Sequence, residues 1–304
     1  MKPTTDLLPP ITTPFVDGAV APEKVRANVE ALQRFDMTGL VVAGTTGEAP
    51  LLEEPERAEL VEAVRNALPD DKLLMAGIGC ESQLATIRLG RRLHAAGADV
   101  FLVLTPHFYR KLMTTEALIA FYQAVADKLP APLYLYNNPR VTGIDLSLEV
   151  IETLSRHERI VGLKDSSGDF SFLLALLERL PTRFRLLVGS APIVVPSLAV
   201  GAHGAILGIA NVLPEPVARL RALLDAGRLA EAMSLQARLA AAARIILSEG
   251  GVPGVKAAMD LRGLYGGPPR PPLQPVSPRT VSDIDTLLDT LASEGVIPKK
   301  RIVS

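Results

Sequence analysis

The stretch GLVVAGTTGEAPLLEEPERAELVEAVRNALPDDKLLMAG, residues 39–77, decides the fold. It opens with a short apolar run, Gly39–Ala43, and closes with another, Leu73–Gly77. Between them, Glu54–Leu68 places Leu60, Val61 and Val64 on one helical face among Glu56, Arg57, Glu59 and Arg65. A strand, an amphipathic crossover helix and a second strand make one unit of a parallel sheet. The rhythm repeats along the chain, and strands are expected at Leu8–Thr13, Gly39–Ala43, Leu73–Gly77, Val100–Leu104, Leu133–Tyr136, Ile160–Lys164, Leu186–Val188 and Gly204–Ile206. Strands at such regular spacing, each followed by a helix, favour a closed (β/α)8 TIM barrel of the α/β class over an open sheet. Leu8–Thr13 carries Pro9 and Pro10, tolerated only near a strand start, and Gly204–Ile206 is short and flanked by glycine, so these two have the weakest strand signals.

Beyond residue 213 the strand pattern stops. Pro214–Ala226, Leu229–Leu247, Val255–Tyr265 and Val281–Ser293 all read as helix, with the proline-rich Gly266–Pro278 as a stiff connector. The chain is therefore divided into a barrel, residues 1–226, and a C-terminal helical appendage, residues 227–304. With 32 basic and 33 acidic side chains among 304 residues, the net charge of −1 gives no basic footprint for nucleic acid. The single cysteine, Cys80, forms no internal disulfide. The N-terminal MKPTTDLLPPITTPF lacks the apolar run of a signal peptide, and no stretch is long and apolar enough to span a membrane. A cytoplasmic location is expected.

Active sites of parallel barrels collect at the carboxyl ends of the strands. Lys164 ends the apolar run Ile160–Lys164, where partial desolvation favours a neutral, nucleophilic amine; the alternative is a lysine that snorkels to solvent. Only nine of the 32 basic residues are lysines, which argues against incidental surface charge. A Schiff-base lysine needs a proton-transfer group, and Tyr136 ends the neighbouring strand, although a packed aromatic with a satisfied hydroxyl is an equal reading. Gly44–Glu48, GTTGE, offers two hydroxyls and approachable backbone N–H groups for a small carboxylate; taken alone, it is also an ordinary turn. No GxxxxGK[ST] or strand-following GxGxxG supports a nucleotide, and His94, His107, His157 and His203 lack metal-ligand spacing. No cofactor and no metal are expected.

GTTGE at 44–48, TPHFY at 105–109, YNNP at 136–139, VGLKDSSGD at 161–169 and Gly189-Ser190, in this order and spacing, resemble the dihydrodipicolinate synthase and N-acetylneuraminate lyase family. The resemblance spans the whole barrel. It implies a homotetramer, a dimer of dimers, in which a lysine forms a Schiff base with pyruvate or with a 2-oxo acid that yields pyruvate. Matched residue by residue, it makes Lys164 the Schiff-base lysine, Tyr136 the general acid and base, Thr45 the relaying hydroxyl and Thr46 the carboxylate holder. Tyr109 matches a tyrosine that reaches into a neighbouring subunit's site. Gly47, Ser166, Arg140, Gly189 and Ser190 are the further substrate-binding candidates.

Typical synthases of the family continue the tyrosine motif as YNxPxRTG, and their arginine grips the distal carboxylate of the substrate. Here the string is YNNPRVTG, with Val141 in the arginine's place and Arg140 one residue earlier. LLMAGIGCES at 73–82, TPHFYRKLMTTEAL at 105–118, GVPGVKAAMD at 251–260 and YGGPPRPPLQPVSP at 265–278 resemble the 4-hydroxy-2-oxoglutarate aldolase branch, where Ser166 matches a substrate-contacting serine. Animal members of that branch have Ser-Asn where Thr45 and Thr46 stand. The leading expectation is reversible cleavage of 4-hydroxy-2-oxoglutarate to pyruvate and glyoxylate. The first alternative is 4-hydroxy-tetrahydrodipicolinate synthase activity, condensing pyruvate with aspartate semialdehyde while Arg140 replaces the lost contact. A sugar-acid (2-keto-3-deoxy) aldolase or dehydratase is the second, and a non-catalytic pyruvate sensor is the reading outside enzymes.

Overall fold

A computed structural model describes residues 5–299, 301 and 302, so part of the N-terminal run read above lies outside the described residues. Eight parallel strands form one sheet: β1 Asp6–Leu7, β2 Gly39–Val42, β3 Leu73–Gly77, β4 Val100–Leu104, β5 Leu133–Asn137, β6 Ile160–Asp165, β7 Arg185–Val188 and β8 Gly204–Ala205. Neighbours in sequence pair from β2 to β8, and β8 pairs with β1. The last seam closes where Val41 donates its N–H to the Pro9 carbonyl and accepts from the Ile11 N–H, both at 2.9 Å. The expected strand Leu8–Thr13 is corrected here. Regular pairing covers only Asp6–Leu7, because Pro9 and Pro10 have no N–H to give, and the Pro9 carbonyl and the Ile11 N–H carry the seam instead. An unanticipated hairpin, Phe15–Val16 with Ala19–Val20, follows.

Every strand is followed by a helix: α1 Pro22–Leu32, α2 Glu54–Ala67, α3 Gln83–Ala95, α4 Thr115–Lys128, α5 Leu148–Ser155, α6 Phe170–Arg179, α7 Val194–Ala199 and α8 Pro214–Asp225. The two faces of the strands alternate, as the period of two requires. Val41, Met75, Leu102, Tyr134, Tyr136 and Leu187 fill the barrel interior. Their neighbours Leu40, Leu74, Phe101, Leu135 and Leu163 pack outward beneath the helices. Leu135 and Leu163 are wholly buried, and truncating either to alanine is expected to cost about 2–5 kcal/mol.

The appendage consists of α9 Leu229–Ala243, α10 Gly251–Leu261 and α11 Pro278–Ser293. The helix expected to run to Leu247 changes at Arg244–Glu249 into a π-helical turn. The helix expected over Val255–Tyr265 is shifted towards the N-terminus; Gly263, at φ +82°, lies just beyond its C-cap Arg262. Ser277 caps α11 by accepting from the Thr280 N–H, and Pro278 takes the first helical position. Leu235, Leu239, Ile246, Val255, Met259, Ile284 and Leu288 share one core with Val212, Leu213 and Val217 of the barrel. Fully buried Arg262 adds a hydrogen bond to the Val212 carbonyl (2.9 Å) and an ion pair with Glu215. Among the described residues, no helix is long and apolar enough to cross a membrane.

Candidate active site

Strand register puts the two principal candidates side by side. Tyr136 on β5 is the partner of Lys164 on β6, and Asn137 is the partner of Asp165. Because Leu135 and Leu163 face the helices, Tyr136 and Lys164 share the opposite, inward phase. Lys164 is 6% exposed and Tyr136 is 4% exposed; the ammonium nitrogen Nζ lies 4.1 Å from the centre of the tyrosine ring. Asn138 Nδ2 donates to Tyr136 Oη at 2.9 Å, and Thr45 Oγ1 lies 3.3 Å from the same oxygen. Burial alone would push the phenol up. The positive charge of Lys164 and the hydrogen bonds from Thr45, Lys164 and Asn138 outweigh it and hold Tyr136 below the ordinary tyrosine value.

The strand ends beneath the pair are cross-braced. Asn137 Nδ2 donates to Asp165 Oδ1 (2.8 Å) and Asp145 Oδ1 (2.9 Å), while its own Oδ1 accepts from the Leu146 N–H. Burial raises the Asp165 carboxyl above its usual range, against the hydrogen bonds from Ser167 and Asn137. Gly189 makes room for the next contact: a Cβ there would collide with Ser166 Oγ.

Ala43, at φ +50°, follows β2 directly and turns the chain into GTTGE. The Gly47 and Ala49 N–H groups return to the Gly44 carbonyl, and the Glu48 N–H returns to the Thr45 carbonyl. This folding brings Thr45 and Thr46 into a cavity of about 570 Å³ shared with Tyr136, Lys164, Ser166, Arg140, Gly189 and Ser190. Eight of the ten residues singled out from sequence are thus gathered in one cavity. Gly47 is not on its wall: its carbonyl accepts from Thr13 Oγ1 (2.6 Å), and a Cβ there would crowd the Ile11 carbonyl, so it serves the turn. Tyr109 is also outside. It stands 65% exposed beside Phe108, itself 75% exposed, with their rings edge to face at 5.0 Å.

Sequence reasoning missed Asn138, and with it the second partner of the Tyr136 hydroxyl; an amide two residues past a site tyrosine was the available signal. It also missed Arg244, Leu247 and Ser248, which the appendage contributes to the cavity wall. A π-helical turn changes the angular register of a helix, so no helical periodicity marks these residues. A second cavity, about 600 Å³, opens among Ala257, Asp260, Leu261, Val281, Asp285 and Arg301; among the described residues that line it there is neither lysine nor tyrosine.

A buried primary amine against a phenol linked to a second hydroxyl is equipped to attack a carbonyl and to move the protons that such an attack requires. Comparison with known proteins identifies the family. Residues 3–291 match the model of the dihydrodipicolinate synthetase family. A 4-hydroxy-tetrahydrodipicolinate synthase of Corynebacterium urealyticum is 38% identical over 290 residues, covering 94% of this chain and 93% of that protein. The solved 4-hydroxy-tetrahydrodipicolinate synthase of Methylacidiphilum fumariolicum SolV superposes with a TM-score of 0.90 at 29% identity, covering 96% of this chain and 99% of its own. YagE of E. coli K12, a prophage protein of the dihydrodipicolinic acid synthase family solved in complex with pyruvate, superposes at 0.89 with 26% identity, covering 94% and 98%. Sequence and architecture together make the protein an enzyme of the lyase class, and the chain belongs to the dihydrodipicolinate synthetase family.

Proposed function

We propose that the protein is a class I, Schiff-base lyase that condenses pyruvate with aspartate semialdehyde. The observation that carries this reading is the placement of Arg140 on the wall of the cavity that holds Lys164, Tyr136 and Thr45. The names of the relatives favour this condensation over the cleavage of 4-hydroxy-2-oxoglutarate that led the sequence reading. In the proposed reaction, Lys164 Nζ attacks C2 of pyruvate and the carbonyl oxygen takes a proton from Tyr136. Water leaves and a protonated imine forms. The imine draws electrons from C3, whose proton passes to the Tyr136 oxygen and the Thr45 hydroxyl behind it. The resulting enamine carbon attacks the aldehyde carbon, and the aldehyde oxygen collects the proton. The amine of the bound semialdehyde then displaces Lys164 from C2 and closes the ring.

Thr46 holds the pyruvate carboxylate, Ser166, Gly189 and Ser190 line the acceptor side, and Arg140 takes the distal carboxylate. The imine itself is the electron sink, so the scheme uses no cofactor or metal. Tyr109 completes the site of a second copy, within a cytoplasmic homotetramer; its exposure beside Phe108 supports this role.

One observation favours the second reading, cleavage of 4-hydroxy-2-oxoglutarate to pyruvate and glyoxylate. Val141, 45% exposed, stands where the condensing enzymes of the family carry an arginine. Borohydride treatment in the presence of pyruvate, peptide mapping, and parallel assays with the two substrate sets test both readings. An adduct on Lys164 with semialdehyde turnover is expected. The same adduct with glyoxylate release alone would move the assignment to the cleavage reaction. An adduct with no turnover of either substrate set would leave the sugar-acid reaction or a pyruvate sensor, and no adduct would remove the Schiff base.

A further inference from the structure

Glu48 ends the GTTGE turn at φ +56°, in the left-handed region that side chains rarely enter, and its side chain is fully buried. Its carboxylate meets two groups from the appendage. Lys256 of α10, also fully buried, places Nζ 2.6 Å from Glu48 Oε1, and the Arg270 N–H donates to Oε2 at 2.8 Å. Both partners are themselves fixed. Lys256 donates to the Pro268 carbonyl (2.9 Å) and lies 4.4 Å from the centre of the Phe15 ring, while the Arg270 guanidinium holds Glu56 at 2.6 Å through two nitrogens.

Stability alone does not account for such a pair. Desolvating two charges is costly, and an apolar pair of similar volume would hold the same elements together at least as well. The pair adds direction: it fixes the carboxylate, and so the backbone, of a residue whose N–H donates to the Thr45 carbonyl. Thr45 in turn lies within 3.3 Å of the Tyr136 hydroxyl. We propose that Glu48, held by Lys256 and Arg270, is a positioning residue that aims the Thr45 hydroxyl, so that the C-terminal appendage sets the geometry of proton transfer in the barrel.

The inference rests on the pyruvate chemistry proposed above and is separable from it. The test is exchange of the pyruvate methyl protons with D2O, followed by NMR, beside borohydride trapping on Lys164. Both read the first half-reaction, whatever the aldehyde. Removing one charge leaves the other buried and unpaired and threatens folding, so the informative variant is the double Glu48→Gln, Lys256→Met. Trapping is expected to stay within about twofold of the parent while methyl exchange falls on the order of ten- to a hundredfold, the consequence of a relaying hydroxyl misplaced by a fraction of an ångström to an ångström. Exchange within about twofold of the parent would overturn the positioning role. Parallel loss of trapping and exchange would also overturn it, in favour of a general collapse of the site. No exchange in the parent protein would instead remove the pyruvate reading, and this inference would fall with it.

Discussion

The cavity has two unlike halves. Its floor is made at the strand ends: Lys164 and Tyr136 stand on paired β-strands braced by Asn137 and Asp165, and Thr45, in the turn after β2, joins Asn138 at the Tyr136 hydroxyl. Its rim is made by the segment after β5, which carries Arg140 and Val141, and by the π-helical turn of the appendage, which carries Arg244 and Ser248. Lys164 and Tyr136 are buried and Thr45 half-buried, all interlocked; Val141, Arg244 and Ser248 are exposed. A group that must move a proton at a defined atom gains from rigid support, whereas a group that selects among acceptors needs only to reach the substrate. The contrast assigns bond making to the floor and choice of aldehyde to the rim.

Lys164→Ala is the severest test of that division. Without a covalent imine, turnover should fall by about four orders of magnitude or more and the pyruvate adduct should vanish. Turnover at the parental rate would end the Schiff-base mechanism for the floor. Tyr136→Phe keeps the ring and removes the oxygen, and should lower kcat on the order of a thousandfold. Tyr136 also predicts a pH effect with a definite sign. Its phenol is held below the ordinary value of 10, so the proton it donates is lost at a lower pH than usual, and the alkaline limb of kcat should begin below pH 10. In Tyr136→Phe that limb should be absent from the residual rate. A limb that persists unchanged would assign it to another group.

The floor was the part that sequence could reveal. Alternating apolar runs have a period that announces a strand, and a strand's carboxyl end is where a barrel puts its chemistry, so Lys164 and Tyr136 stood out by place before any geometry was known. Pro9 and Pro10 weakened the first strand signal for a physical reason that the structure bears out: that strand is regular for two residues only. The appendage's share of the rim was illegible because its residues owe their position to tertiary packing. Arg244 and Ser248 follow a helix whose register shifts at a π-helical turn. Glu48 and Lys256, 208 residues apart, meet only because the appendage folds back onto the GTTGE turn. Nothing local in GVPGVKAAMD marks its lysine as the partner of a buried glutamate.

Tyr109→Phe asks whether the site ends at the boundary of one copy. Tyr109 is exposed and absent from the cavity of its own chain, so a role in proton transfer requires a second copy. Loss of its hydroxyl should lower kcat by about tenfold or more while assembly, measured by sedimentation, is unchanged. Full activity in the variant, or in a stable monomer, would confine the site to one chain.

Arg140→Ala should act on a different parameter. Losing one charged hydrogen-bonding partner of an acceptor carboxylate costs about 1.5–3 kcal/mol, which should raise KM for aspartate semialdehyde by roughly ten- to a hundredfold. Pyruvate methyl exchange should not change, because the first half-reaction is confined to the floor. Exchange that falls together with acceptor binding would break the division between floor and rim. A variant with unaltered KM would show that Arg140 does not hold the distal carboxylate. Val141→Arg restores a guanidinium at the position where the condensing enzymes carry theirs; combined with Arg140→Ala it should recover acceptor binding, and recovery for semialdehyde but not for glyoxylate would locate the choice between the two aldehydes in this one pair of neighbouring residues.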